Sequence, residues 1–410
     1  MTAPPAVLAP AAQRSLWTPP FLLLCACVLL GYAHHALLTP IVPLYIADQG
    51  GSALIAGLAL LAFSVPSFMV RPIVGHMADA WSASGVLTLG LALLVLGGLL
   101  YLTPWLAMVF VAGGLRGLGW AGLNTGGYTI LAAAAPDTRR GEASGYYSSV
   151  ISSASVLFPA LALWIIDTPA GFDAVFLLSV AVAAAGIPIC HLILRPMSRT
   201  ATATTVDTAG AAAERGLAGM IDRDVLLATG LSLCSSLAFP AVTAFLPLYA
   251  RDLGIGNIGL FYIVAGATSI LLRPALGRRS DSIGRGPSIA LGFVGMAIGL
   301  VFIILAHNLA MLLVGGVFTS LGAAINSSAT TALAMDLANP ARRGKAMATF
   351  SISFQLGAGI GALIAGAIAD LSGYRGMYVG SLAIILLGLL VVALAWRLLD
   401  AAGTPRPAQA

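Results

Sequence analysis

Val70-Arg71-Pro72-Ile73-Val74-Gly75-His76-Met77-Ala78-Asp79 and, about two hundred residues later, Leu272-Arg273-Pro274-Ala275-Leu276-Gly277-Arg278-Arg279-Ser280-Asp281 share the pattern Arg-Pro-x-x-Gly-x-x-x-Asp. Each interrupts a chain otherwise nearly free of charge. Of its 410 residues 59% are hydrophobic and 9% charged, against roughly 25% charged in a soluble globular chain. One crossing of a bilayer by a helix takes about 20 apolar residues, and the sequence supplies run after run of that length. The class is therefore an all-α polytopic membrane protein, and the two charged stretches are punctuation between spans. The net charge of +5 is scattered through short loops, so it marks no nucleic-acid surface.

Counting apolar runs between polar breaks predicts twelve transmembrane helices. Six lie at about 17 to 46, 53 to 73, 85 to 103, 106 to 133, 142 to 166 and 172 to 194. Six more lie at about 224 to 250, 257 to 276, 287 to 306, 309 to 336, 345 to 369 and 376 to 398. The Ala- and Thr-rich stretch between Pro196 and Asp224 reads as a linker outside the membrane. The expected organisation is a six-helix bundle over 1–195, a cytoplasmic linker over 196–223, a second bundle over 224–400 and a cytoplasmic tail over 401–410. The first apolar run exceeds the core of a signal peptide and reads as a retained span. Short cytoplasmic loops accumulate Lys and Arg; with both termini inside, 17 of the 20 basic residues fall on that side. Only Arg251 and Arg375 fall outside, and Arg116 stays within a span.

The halves repeat. Pro43-Leu44-Tyr45 matches Pro247-Leu248-Tyr249, Gly113-Gly114 matches Gly315-Gly316, Asn124 matches Asn326, and Arg139-Arg140-Gly141 matches Arg342-Arg343-Gly344, all at offsets between 202 and 204. One six-helix unit is used twice, in parallel because six crossings is an even number. In the quoted stretches, glycine permits close helix approach at a turn, and Asp79 or Asp281 has the chemistry to accept from free N–H groups at a neighbouring helix N-terminus. Arg71, Arg273, Arg278 and Arg285 supply bridges to carboxylate or phosphate. The expected role of Arg71, Gly75, Asp79, Arg273, Gly277, Arg278, Asp281 and Arg285 is a conformational latch, with the Asp281–Arg285 copy the stronger.

These motifs resemble the major facilitator superfamily of secondary transporters over essentially the whole chain. That family carries Gly-x-x-x-Asp-basic-x-Gly-basic between its second and third helices and a counterpart between the eighth and ninth; Gly277 to Arg285 keeps most of it. The first copy retains Gly75 and Asp79, with Ala80-Trp81-Ser82-Ala83-Ser84 in place of the basic stretch. Leu115-Arg116-Gly117-Leu118-Gly119 looks like the Arg-x-x-x-Gly signature of the twelve-helix drug and sugar:proton antiporters, with the glycine three residues on. The fifth-helix element of that group keeps its proline at Pro159 and lacks its glycines. The Arg-Pro-x-x-Gly-x-x-Ala-Asp form resembles the arabinose-efflux-like and metallophore-exporter branch. The resemblance implies proton-coupled efflux of a small drug, sugar or metabolite by alternating access. A proton-linked importer of an organic acid or sugar is the alternative, and a polytopic membrane enzyme or a non-transporting sensor is a more distant one.

Polar groups inside a span cost about 2.5–3.5 kcal/mol for an arginine at the helix centre, so those present are informative. Steps of four in the fourth span place Arg116, Trp120, Asn124 and Tyr128 on one face, which should meet the central cavity or a partner helix. Tyr32, His34 and His35 in the first span, Asn326 in the tenth and Gln355 in the eleventh complete the expected substrate and proton pathway. Histidine suits proton coupling because it titrates near neutrality. No Asp or Glu lies mid-span; Asp48, Asp167, Asp336 and Asp370 sit near helix ends. Arg116 therefore favours an anionic or zwitterionic solute. Six serines between Ser144 and Ser155, with Gly357 and Gly361, read as sites of close helix packing. No metal-ligand spacing, nucleotide loop or catalytic motif occurs, and the four cysteines read as small buried apolar side chains. The expectation is a cofactor-free, monomeric protein of the cell inner membrane, whose partners are a small molecule, protons and lipid.

Overall fold

The computed structural model describes residues 16–136, 139–193, 222–339, 342–396 and 399, without the side chains of residues 191–193, 273–282, 343 and 344. The first half of the chain contains α1 (Pro19–Asp48), α2 (Ala53–Met69), α3 (Arg71–Ala80), α4 (Ala83–Leu100), α5 (Leu106–Ala134), α6 (Arg140–Ile166) and α7 (Gly171–Ile193). The second contains α8 (Leu226–Thr243), α9 (Leu246–Asp252), α10 (Gly259–Ile283), α11 (Arg285–Ile304), α12 (Leu309–Leu337) and α13 (Arg343–Leu394). Most of the expected linker lies outside the described residues.

Helix is what long apolar runs must form in lipid, because only an internal ladder satisfies every backbone N–H and C=O. Polar side chains mark the starts. Ser82 accepts from Gly85 N at 3.0 Å, and Asn308 from Met311 N at 2.9 Å. Among the described residues nine helices are long and apolar enough to cross a membrane, or ten if the bent pair α2–α3 is one span. The expected twelve are reached only by two further steps. Gly259–Leu272 is apolar but shorter than a full span. α13, at 52 residues, is roughly 80 Å long at 1.5 Å per residue, far beyond a hydrocarbon core of about 30 Å. It breaks at Gly373, whose φ of 74° is a left-handed conformation that glycine adopts without strain.

The repeat is visible in helix packing. α5 and α12 are both 29 residues long and start at equivalent positions, Leu106 and Leu309. A methyl group added to Gly90 of α4 would fall 2.6 Å from Leu123 N, and one added to Gly292 of α11 would fall 2.8 Å from Asn326 N. Both pairs pack backbone to backbone, which makes Asn326 the register equivalent of Leu123. The expected pairing of Asn326 with Asn124 is thus out by one residue, about 100° of helix rotation, and Ser327 is the counterpart of Asn124.

Two further expectations change. The opening stretch is helical: Arg71 begins α3, which leaves α2 at a bend of 44°. Gly75 has open space around it, so it serves no close approach in this conformation. Among the serines of α6, Ser149, Ser153 and Ser155 bond back to the carbonyl four residues earlier, and Ser152 and Ser155 line a cavity instead of a packed interface. Gly357 and Gly361 do pack closely, against Ser236 and Leu237 of α8.

Candidate functional site

A cavity of about 620 Å³ lies between the two halves of the chain. Its walls come from equivalent positions of the repeat. His35 and Thr39 of α1 face it from one side, Phe239 and Thr243 of α8 from the other. From α12 it takes Thr319, Ala323 and Ser327, the register equivalents of Arg116, Trp120 and Asn124; from α5 it takes Trp120 alone. His35 stacks on Trp120 at 4.2 Å and 30°, and on Phe63 of α2 at 5.0 Å and 25°. Its Nδ1 is buried and has no hydrogen-bond partner among the described residues.

Arg116 is 4% exposed and turns toward partner helices. Its Nε donates to His34 Nε2 at 3.2 Å and its Nη1 to Tyr101 OH at 3.0 Å. The guanidinium also lies 5.4 Å from the Phe63 ring centre and 5.6 Å from that of Tyr101, within cation–π range. His34 donates from Nδ1 to Ser179 O at 2.9 Å, which leaves Nε2 as the acceptor that Arg116 needs. The imidazole is fully buried with both nitrogens engaged. His34 is therefore a support for Arg116 and lines no part of the cavity, contrary to its expected place in the pathway.

The other expected pathway residues disperse. Tyr32 OH donates to Asn124 Oδ1 at 2.6 Å, and Tyr32 also packs on Trp120 at 4.5 Å. Tyr128 is 53% exposed and rests against Tyr147. Gln355 lines the cavity and donates from Nε2 to Ser67 Oγ at 3.3 Å, across the two halves. Asn326 is 1% exposed, and both its amide atoms are buried without partners among the described residues. Phe239, Phe354 and Tyr262 also face the cavity; the fourfold spacing of Phe239 and Thr243 on α8 matched His35 and Thr39 on α1, and would have signalled it.

The halves meet at one end of this cavity. Asp370 of α13 accepts from Ala53 N at 2.8 Å and Leu54 N at 3.1 Å, capping the first turn of α2 with a carboxylate. Gly366 abuts Ala53, and Gly57 abuts Ala362, both backbone to backbone. Arg251 lies 4.0 Å from Asp48 at the same end. At the opposite end Asp79 is exposed and has no described hydrogen bond or ion pair. The described ion-pair partner of Arg285 is Asp336 at 2.8 Å, within the second half. The side chains of Arg273, Gly277, Arg278 and Asp281 lie outside the described residues. A carboxylate-on-helix-N-terminus contact of the kind expected at Asp79 is thus found at Asp370, at the other end of the molecule; the expectation for Asp281 lies outside the described residues.

The sequence model of the Major Facilitator Superfamily matches residues 23–278 and 257–410. The chain belongs to this superfamily. Among its superfamily relatives, the staphylopine export protein of Staphylococcus aureus is 23% identical over 397 residues, 95% of this chain and 98% of that one. The multidrug resistance protein MdtG of Proteus mirabilis is 30% identical over 161 residues, 37% of this chain and 40% of that one. A crystal structure of a peptide transporter, POT, in complex with sulfate superposes with a TM-score of 0.73 at 17% identity, covering 95% of this chain and 97% of the other. The major facilitator fold and a multi-pass membrane transporter follow, and with them a protein that is no enzyme.

Proposed function

We propose that this transporter exports a small organic solute in exchange for protons, by rocking of its two halves about the central cavity. The observation that carries the reading is the cavity itself, walled by equivalent helices of both halves and closed at the Asp370 end. The distribution of basic residues supports assigning the Asp79 end, both termini and the 196–223 linker to the cytoplasm, in an inner membrane. The conformation described is then open inward and sealed outward. Export is supported by relatives named for export and multidrug resistance.

In the exchange, solute enters from the cytoplasm and the outer seal opens as the inner ends converge. His35 is the proton-carrying group of this proposal: it is the cavity-lining histidine, with one nitrogen unpartnered. The latch belongs to the outward-open state. Asp79 and Asp281 close the cytoplasmic ends as Asp370 closes the opposite one, and Asp281→Asn slows turnover more than Asp79→Asn.

The test is efflux from vesicles with an imposed pH gradient, native protein against His35→Gln. Solute movement should dissipate the gradient in the native protein and continue uncoupled, or stop, in the variant. Flux that leaves the gradient intact removes proton coupling.

A further inference from the structure

We propose that the cavity selects an uncharged solute with a flat aromatic or conjugated ring and a hydroxyl or N–H donor; this rests on the transport reading above and narrows it. The first ground is charge. Among the described residues lining the cavity there is no Asp, Glu, Lys or Arg. In the solute-bound state of the exchange, in which His35 has given up its proton, an ion moved into this space would lose hydration and meet no counter-charge. The cation that the sequence offers to an anionic solute, Arg116, is held by His34 and Tyr101 behind the Phe63 ring of the cavity wall. The anionic or zwitterionic expectation therefore gives way to a neutral one.

The second ground is shape and surface. His35, Phe63 and Trp120 form a stacked aromatic wall. Facing it from the second half, Phe239 is 53% and Phe354 41% exposed. Rings left uncovered on both sides of a cavity are surfaces for a flat guest, and stacking adds to the gain from area burial. At about 620 Å³ the space suits a molecule of drug size.

The third ground is hydrogen-bond polarity. The hydroxyls of Thr39, Ser64, Ser155, Thr243 and Thr319 each donate to a backbone carbonyl of their own helix, at 2.8–3.2 Å. Their protons are spent while oxygen lone pairs remain. Gln355 spends one of its two N–H groups on Ser67 and keeps its carbonyl as an acceptor. The lining is thus rich in acceptors, and the complementary solute brings donors.

Three probes separate the possibilities: N-phenylnaphthylamine, neutral with one N–H; anilinonaphthalenesulfonate, the same skeleton as an anion; and ethidium, an aromatic cation. Binding of radiolabelled N-phenylnaphthylamine to the purified full chain should saturate, with either ion at least about tenfold weaker as competitor. Trp120→Ala should weaken binding, Arg116→Gln should leave the ranking unchanged, and Gln355→Glu should admit ethidium. Equal competition by either ion, or no saturable binding of the neutral probe, overturns the proposal; the ranking on the native chain decides this even if a variant fails to fold. Saturable neutral binding without flux in proteoliposomes would remove the export reading and leave the solute class standing. Coupled flux of an ionic solute would do the reverse.

Discussion

Arg116 is a buried cation whose described partners are neutral: one imidazole, one phenol and two aromatic faces. Hydrogen bonds to a charged group contribute about 1.5–3 kcal/mol each, and an uncompensated buried charge costs more than a missing one. Tyr101→Phe and His34→Ala should therefore lower the thermal unfolding midpoint of the solubilised protein more than Arg116→Met, which removes the need along with the partner. Arg116→Lys should also destabilise, because an ammonium cannot span His34 and Tyr101 as the planar fork does. The opposite order in a melting series would sink this account. Asn326 presents the inverse case. Its amide is buried with no partner among the described residues, a deficit of about 1–3 kcal/mol, so Asn326→Leu should leave stability unchanged or raise it. A loss of that size instead would mean the amide has a partner in another conformation.

At the scale of elements, α2 and α13 decide which end of the cavity is shut. Small residues let their backbones touch at Gly57 and Gly366, and Asp370 completes the contact on the α2 N-terminus. Losing a side-chain cap costs about 0.5–2 kcal/mol, which is about a 2- to 30-fold change in a two-state ratio. Asp370→Ala, which removes both acceptor oxygens, should shift the population toward the outward-open form by that order. Spin labels at Gln49 and Leu371, both exposed beside the contact, should report a longer-distance population; an unchanged distance distribution would show that glycine packing alone seals the end. The bend at Val70 places α3 at the opposite end, where Asp79 is exposed.

For the molecule as a whole, the basic residues predict which end faces the cytoplasm. A cysteine placed at Gln49 should react with a membrane-impermeant thiol reagent in intact cells, and one at Trp81 should not; the reverse pattern would invert the topology. Membrane class, the run of spans and the internal repeat were legible in the sequence because each depends on local hydropathy, charge position and spacing, which folding does not alter. Trp120, His35 and Gln355 were also legible as cavity residues, since a polar or amphipathic side chain inside a span must find a non-lipid neighbour. Hydropathy alone did not decide which neighbour. Arg116 and His34 satisfy each other behind the cavity wall, and Asn326 is turned inward by a one-residue register difference that two matching asparagines disguised. Likewise the acidic cap seen among the described residues is that of Asp370 and not of Asp79, because a carboxylate caps whichever helix start it reaches. Sequence determined that this chain crosses a membrane as a doubled bundle; only tertiary structure decided where its few charges are neutralised, because pairing depends on helix rotation and docking, which act over distances that local spacing does not encode.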